Sequence, residues 1–299
     1  MPAEALRVVV TGATAGLGYY AAEQMARQGH HVVLAARSHD RAVRAADLVR
    51  DRVPGAEVRT VHLDLADLAS VEAGASEIAG GGAVDVLLAN AGVVGSRRRR
   101  RTTDGHELQF GTNHLGHFAL VSHLLPALAQ APAARVVHLG SIAHRFVRLD
   151  LDDPMMLGHY SGAVAYARSK LAVMTFGFEL DRRLREVGSS VRSVVAHPGL
   201  SVDPLSDPRP PVVEVRRPPA VLTSAAHVVA QGKEVGAEPL VHASTAAGVE
   251  GGEYWGPEGW FQLTGAPARV RARPHAHHRA TAADLWSLSA RLTSIEPSL

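Results

Sequence analysis

The sequence predicts an α/β protein built on a doubly wound parallel sheet and folded as a single domain over residues 1–299. Three observations support this fold class. Short runs rich in β-branched residues alternate with stretches of helical periodicity, the runs are apolar on both faces, and turn residues separate them. Strands that are buried on both faces belong to parallel sheets covered by helices on each side.

Six short apolar runs are predicted to be strands because they are rich in valine and leucine. They span residues 7–12, 31–36, 58–64, 84–92, 134–141 and 190–199. Six stretches with helical spacing are predicted to be helices, with Gly29 ending the first and Ser38 capping the second. These stretches span residues 16–28, 38–53, 68–79, 112–130, 162–187 and 281–293.

Two segments depart from the alternation of strands and helices. Residues 201–220 contain six prolines, which remove backbone donors and block helix interiors, so a substrate loop or lid is predicted there. Residues 251–299 are predicted to form a C-terminal extension. The five arginines at positions 97–101 are interpreted as a solvated loop, with attraction of an anionic partner as the alternative.

Composition and charge exclude several classes of function. The 31 Lys and Arg residues nearly balance the 29 Asp and Glu residues, so binding to nucleic acid is not expected. Because the chain has no Cys, it has no disulfide, Cys-ligated zinc, iron–sulfur cluster or catalytic thiol. The histidines at 275, 277 and 278 lack acidic partners, so no metal site is predicted. No run of 18 apolar residues or signal peptide is seen, so we expect a cytoplasmic protein without an integral membrane span.

Lysine and asparagine are scarce in this chain. Only two lysines (Lys170, Lys233) and two asparagines (Asn90, Asn113) occur in 299 residues. Three of these four residues fall within the patterns described next, which makes a chance match less credible.

A glycine-rich turn between the first strand and first helix predicts a phosphate-binding site. The spacing is G-x3-G-x-G, which allows a tight turn, close approach to a pyrophosphate, and use of the free N–H groups at the helix N-terminus. A structural turn in an unrelated α/β protein is the alternative. The predicted ligands in this turn are Gly12, Thr14, Ala15, Gly16, Leu17 and Gly18.

Residues at the ends of the next three strands predict the rest of a dinucleotide site. The second strand ends at Ala36 and is followed by Arg37, where an acidic residue would favour NAD. A guanidinium there favours the 2′-phosphate of NADP, although a solvated Arg at a helix start is the alternative. Further ligands are predicted after the third strand and the fourth: Asp64, Leu65, Asn90, Ala91 and Gly92.

A Tyr-x3-Lys pair in a predicted helix indicates acid–base chemistry. Tyr166 and Lys170 lie four residues apart and so face the same way, and a nearby ammonium favours the phenolate. Ser141, at the end of the fifth strand, could hydrogen-bond a carbonyl oxygen, or be only a turn residue. Asn113 lies within a helical run, where Asn is mildly disfavoured, and a water-holding role competes with simple packing.

Taken together, these elements resemble the short-chain dehydrogenase/reductase family over roughly the first 200 residues. The matching motifs, in the family's order, are TGATAGLG, Asp64, NAG, Asn113, Ser141, YARSK and HPG. The stretches FGTNHLGHFAL and GGEYWGPEG further resemble its retinol-dehydrogenase-like and protochlorophyllide-reductase-like branch. The resemblance implies a Rossmann-like fold.

The resemblance also implies residue roles. Tyr166 would be the general acid or base, Lys170 would bind the nicotinamide ribose and lower the Tyr166 pKa, and Ser141 would polarise the carbonyl. Asn113 would anchor a water in a proton relay. Pro198, Gly199 and Ser201 would complete the cofactor site, with Asp203 replacing a threonine that often binds the carboxamide. Family members often form homodimers or homotetramers through the two long helices, here those with Asn113 and Tyr166.

The leading functional hypothesis is an NADP(H)-dependent oxidoreductase with a small-molecule carbonyl or alcohol substrate, working as a carbonyl reductase. An NAD(H)-dependent alcohol dehydrogenase would keep the same fold and catalytic residues. A catalytically idle scaffold protein that binds the cofactor is the hypothesis from a different class, and the complete Asn-Ser-Tyr-Lys set argues against it.

Overall fold

A sheet of eight strands runs through the computed structural model, which describes residues 5–95, 97–213 and 229–299. The strand order is β3-β2-β1-β4-β5-β6-β7-β8, and pairing is parallel except between β7 and β8. The strands are β1 (Arg7–Thr11), β2 (His31–Ala36), β3 (Val58–His62), β4 (Val86–Ala89), β5 (Arg135–Leu139), β6 (Arg192–Ala196), β7 (Tyr254–Pro257) and β8 (Pro267–Arg269).

The first six strands confirm the predicted doubly wound parallel sheet. Most are shorter than predicted at the carboxyl end, where the chain leaves the sheet to form loops. After β4, for example, the amides of Asn90 and Ala91 donate to the hydroxyl of Thr11 rather than to a neighbouring strand. The strand predicted to reach Gly92 therefore ends at Ala89.

Helices cover both faces of the sheet, as expected for strands buried on each side. Within the described residues they are α1 (Gly16–Arg27), α2 (His39–Arg52), α3 (Leu68–Gly80), α4 (Gly116–Ala129), α5 (Gly162–Glu186), α6 (Lys233–Thr245) and α7 (Arg279–Thr293). The long helix predicted from residue 112 begins instead as a π-helical turn, Phe110–Leu115, which leads directly into α4. Ser38 lies at the N-cap position of α2 but makes no capping hydrogen bond with its side chain.

Three elements of the last third of the chain were not predicted. The strands β7 and β8 are short and contain Pro and Gly, which are depleted in strands. The helix α6 contains Gly236 and Pro239, which disfavour a helical prediction. As a result, residues treated as a C-terminal extension contribute two strands to the main sheet.

The apolar core lies in two layers, one on each face of the sheet. One layer includes Phe118 of α4, Phe176 of α5 and Trp286 of α7, whose rings are 5.2 to 5.7 Å apart. The other layer packs α1, α2 and α6 against β1, β2 and β4. Because α7 covers part of the two long helices, it occupies part of the surface expected between subunits, and homo-oligomer formation stays a prediction.

Three further predictions concern the substrate loop, membrane spans and metal sites. Residues 214–220 of the predicted substrate loop lie outside the described residues, while Asp203–Leu205 forms a short 3-10 turn. Among the helices of the described ranges, none is long and apolar enough to cross a bilayer. In the same ranges, no group of three or more His, Asp or Glu residues is arranged to hold a metal ion.

Candidate active site

A cleft of about 1070 Å³ opens at the carboxyl ends of the parallel strands. It lies beside β1 and β4, where the strand order reverses and where ligands bind in sheets of this kind. The predicted residues that line it are Gly12, Thr14, Ala15, Gly16, Leu17, Gly18, Arg37, Asp64, Leu65, Asn90, Ala91, Gly92, Ser141, Tyr166, Lys170, Pro198, Gly199 and Ser201. Asn113 is the one predicted site residue not in this lining.

The glycine turn at the start of α1 forms a concave backbone surface. Gly12 has φ of +67°, and a Cβ on it would lie 2.8 Å from the Cα of Ala91, so only glycine fits. The N-cap residue, Ala15, has no polar side chain that could cap the helix, and the first turn of α1 has no acidic residue. The helix N-terminus therefore presents N–H groups to an anion, and this surface fits a diphosphate.

The side chain of Asn90 locks the carboxyl ends of β1 and β4 together. Its Nδ2 donates to the backbone carbonyl of Thr11 at 2.8 Å, and a Cβ on Gly18 would collide with this amide. The scarce Asn90 thus fixes the strand-to-helix turn, and Gly18 is needed for the close contact between α1 and the sheet.

The open end of the cleft carries positive charge. Arg37 and Arg41 are exposed and line the cleft after β2, which ends at the apolar residue Ala36. Asp64 accepts a hydrogen bond from the amide of Ala66 at 3.0 Å, which shapes the turn after β3. This end therefore offers two guanidinium groups, and the end of β2 carries no carboxylate.

The closed end brings together Ser141, Tyr166 and Lys170. Lys170 is only 3% exposed, and its Nζ donates to the carbonyl of Leu139 at 2.9 Å. Burial lowers the Lys170 pKa to about 8. Burial raises the pKa of Tyr166 above its usual value, while a hydrogen bond with Ser141 acts in the opposite direction. The net shift is upward, opposite to the lowering expected from Lys170, so Tyr166 is a protonated phenol at neutral pH.

Asn113 lies behind the cleft wall rather than in it. Its Oδ1 accepts from the amide of Val93 at 2.7 Å, and its Nδ2 donates to the Val93 carbonyl and to Ser169 Oγ. These bonds tie the turn after β4 to α5 close to Lys170. The side chain acts as a clamp on this turn, while its role as a water anchor stays a prediction.

Buried histidines surround the closed end. His117 lies between the hydroxyl of Thr11 at 3.0 Å and the carbonyl of Asn113 at 2.8 Å. Burial lowers the pKa of His117 to about 4 and the pKa values of His114 and His138 to about 3. These residues are neutral at physiological pH. The strand sequence RVVHLGS places a histidine inside an apolar run, and that pattern was a signal for such burial.

The loop after β6 contains the residues that resembled the HPG motif. Ser201 Oγ donates to the carbonyl of Pro198 at 2.7 Å, so its hydroxyl is engaged within the loop. Asp203, which stands where a threonine is often found in the family that the sequence resembles, pairs with Lys233 at 2.6 Å. Lys233 also lines the cleft. Lysine is scarce in this chain, but no sequence motif near Lys233 indicated that it would lie at the cleft.

Comparison with known proteins adds to this geometry. A model of the family described as short chain dehydrogenase matches residues 7–208. Human retinol dehydrogenase 13 is 35% identical over 294 residues, covering 97% of this chain and 85% of the relative. Human polyprenol dehydrogenase is 36% identical over 197 residues, covering 64% of this chain and 59% of the relative.

A solved structure is also similar along nearly the whole chain. It is the crystal structure of an uncharacterised protein from Mycobacterium paratuberculosis, with a TM-score of 0.79 and 35% sequence identity. The match covers 98% of this chain and 95% of that one. The similarity therefore includes the last third of the chain as well as the motifs of the first 200 residues.

Proposed function

Since this chain belongs to the short-chain dehydrogenase family, in its retinol-dehydrogenase-like branch, we propose that it is an NADP(H)-dependent oxidoreductase. It would transfer hydride between the nicotinamide and a carbonyl or alcohol substrate. The observation that carries the proposal is the convergence of Tyr166, Ser141 and Lys170 at the closed end of a cleft whose other end has the glycine turn and Arg37.

The residues that line the open part of the cleft fit a dinucleotide. The turn around Gly12 and Gly16 would hold the diphosphate, and Asp64 and Leu65 would contact the adenine. Arg37 favours NADP over NAD because a guanidinium binds a phosphate through charge-assisted hydrogen bonds. NAD(H) remains the alternative cofactor.

In the proposed reaction, Tyr166 donates its phenolic proton to the oxygen of the carbonyl as the alkoxide forms. Ser141 donates to the same oxygen and orients it. A bound NADPH would supply the hydride to the carbonyl carbon. Tyr166 is protonated at neutral pH and can therefore donate the proton that carbonyl reduction requires.

An apolar substrate is supported by the aromatic residues beside the catalytic end. Phe146, Trp260 and Phe261 are exposed, and Arg145 donates to the carbonyl of Phe261 at 3.1 Å, which joins their two segments. The chain from Ser141 to Phe146 leads from the cleft to this surface. The names of the relatives refer to retinol and polyprenol, two apolar alcohols. We therefore propose apolar aldehydes or ketones as the substrate class.

The proposed function is tested by titration with NADPH and NADH, followed by measurement of NADPH consumption with a panel of aldehydes and ketones. We expect tighter binding of NADPH and turnover with apolar carbonyls. Preferred binding of NADH with alcohol oxidation would support the dehydrogenase alternative. Tight binding without any turnover would support the idle scaffold. The cytoplasmic location and the homo-oligomer remain predictions beside this proposal.

A further inference from the structure

Lys233 places a cation beside the glycine turn. This lysine lies outside the sequence motifs that resemble the family. Its side chain crosses the turn so closely that a Cβ on Gly16 would lie 3.3 Å from Nζ and 3.5 Å from Cδ. The side chain is 22% exposed and forms part of the cleft wall. The ammonium therefore lies beside the N-terminus of α1, on the side from which a ligand would approach.

Contacts of α6 hold Lys233 at this point. The amide of Lys233 donates to Ser206 Oγ at 2.9 Å, and Gln24 of α1 donates to the carbonyl of Glu234 at 2.7 Å. One turn later, Gly236 lies against the side chain of Ser201, where a Cβ would collide. The start of α6 is thus fixed both to α1 and to the loop after β6.

Among the described residues, Asp203 pairs with the ammonium, while the carboxylate of the next residue in the chain, Glu234, makes a different contact. Asp203 pairs with Nζ at 2.6 Å and is largely exposed. Glu234 accepts a hydrogen bond from the amide of Asp207 at 3.2 Å, on the side of the loop. An ammonium has three donors, so pairing with one carboxylate leaves capacity for a phosphate.

We propose that Lys233 is a ligand of the diphosphate in this cleft, and that Asp203 holds its ammonium above Gly16. The inference rests on the proposed function, because it requires a dinucleotide cofactor. It also gives Asp203 a role: the carboxylate that replaces the family's threonine is neutralised by the lysine beside it. The two cations then differ in task, with Lys233 acting on any dinucleotide and Arg37 only on one with a 2′-phosphate.

The test is calorimetric titration of the full chain with three probes: NADPH, ADP-ribose and adenosine 2′-monophosphate. ADP-ribose has the diphosphate without the 2′-phosphate, and adenosine 2′-monophosphate has the reverse. Lys233→Met should weaken NADPH and ADP-ribose binding by about 10-fold or more, as expected for loss of a charged hydrogen bond, with little change for adenosine 2′-monophosphate. Lys233→Arg should restore most of the affinity, which excludes a general folding defect.

Asp203→Asn is the matched control for the ion pair itself. If Lys233 binds the diphosphate, this variant should bind ADP-ribose at least as tightly as the wild type. The Asn oxygen can still accept a hydrogen bond from Lys233 Nζ and hold it in place, while a negative charge is removed from a site for anions. An equal loss in Asp203→Asn and Lys233→Met would show that the pair only tethers α6 and would overturn the inference. Unchanged ADP-ribose binding by Lys233→Met would do the same. Failure of the wild type to bind any dinucleotide would instead overturn the proposed function, and this inference with it.

Discussion

The two ends of the cleft both carry cations, but in opposite surroundings. Arg37 at the open end is exposed to solvent, whereas Lys170 at the closed end is 3% exposed and is hydrogen-bonded to a backbone carbonyl. Charges in water interact weakly and are screened by salt, while burial shifts a pKa by disfavouring the charged form. Under the proposed function, the open end would therefore set cofactor affinity and the closed end would carry out proton transfer.

The closed end is also surrounded by buried histidines, which are neutral at physiological pH. Four of these histidines are almost completely buried: His114, His117, His138 and His197. His114 and His197 adjoin Asn113 and Pro198 in sequence. His117 is hydrogen-bonded to the carbonyl of Asn113, and His138 precedes Leu139, whose carbonyl accepts from Lys170. At the open end, by contrast, Arg37 and Arg41 are exposed. Acid should therefore destabilise the protein through its closed end.

The largest predicted effect is acid unfolding. Burial lowers the pKa of these histidines to about 3 or 4, below the value of about 6.5 in an unfolded chain. The unfolded state then binds more protons than the folded state. The free energy of unfolding is therefore highest above about pH 6.5 and decreases as the pH falls. At pH 5 the loss is about 2 kcal/mol per histidine, or about 8 kcal/mol for the four. Urea unfolding between about pH 7.5 and 5 measures it.

Two variants test the predicted loss of stability in acid. His114→Phe should reduce the loss of unfolding free energy between these pH values by about 2 kcal/mol, because one buried titrating group is removed. His159→Gln is the matched control, since His159 is exposed and its replacement should leave the slope unchanged. A wild type whose stability is constant down to about pH 5 would show that the histidines are not held neutral by burial.

The second effect is on catalysis at the closed end. Tyr166→Phe removes the proton donor and should lower kcat by about 10²- to 10⁴-fold, the usual contribution of general acid–base catalysis. Binding of NADPH should change little, because the variant keeps the apolar ring and the open end of the cleft. Steady-state kinetics and a binding titration measure the two quantities. Full activity in Tyr166→Phe would remove Tyr166 from its proposed role.

The smallest effect belongs to the open end. Arg37→Ala should weaken NADPH binding by about 10-fold while changing NADH binding little, because only NADPH has the 2′-phosphate. The preference of the wild type for NADPH should also decrease with added salt, since Arg37 is exposed. Titrations at two salt concentrations check both points. Equal losses for the two cofactors would contradict the assignment of Arg37.

The sequence was sufficient for the parts of the molecule that follow from local patterns. Apolar runs predicted β1 to β6, and the four-residue spacing of Tyr166 and Lys170 placed both at the cleft. The spacing did not indicate that burial would raise the Tyr166 pKa, because burial depends on packing between distant segments.

The last third of the chain was harder to predict for the same physical reason. Its strands and α6 contain Gly and Pro, and their stability comes from contacts with the rest of the sheet and with α1. The pairing of Asp203 with Lys233 joins residues 30 positions apart across such a contact. The sequence could not show the hydrogen bonds of Asn113 to Val93 and Ser169, because these join segments that are distant in the chain.

The proposed function depends most on hydride transfer at the closed end of the cleft from a cofactor held at the open end. Its most direct test is incubation of the wild type with NADPH deuterated at the transferable position of the nicotinamide and a panel of apolar aldehydes and ketones. We predict that mass spectrometry will find a product alcohol with one deuterium on the former carbonyl carbon. A wild type that binds NADPH but transfers no deuterium to any carbonyl of the panel would contradict the account.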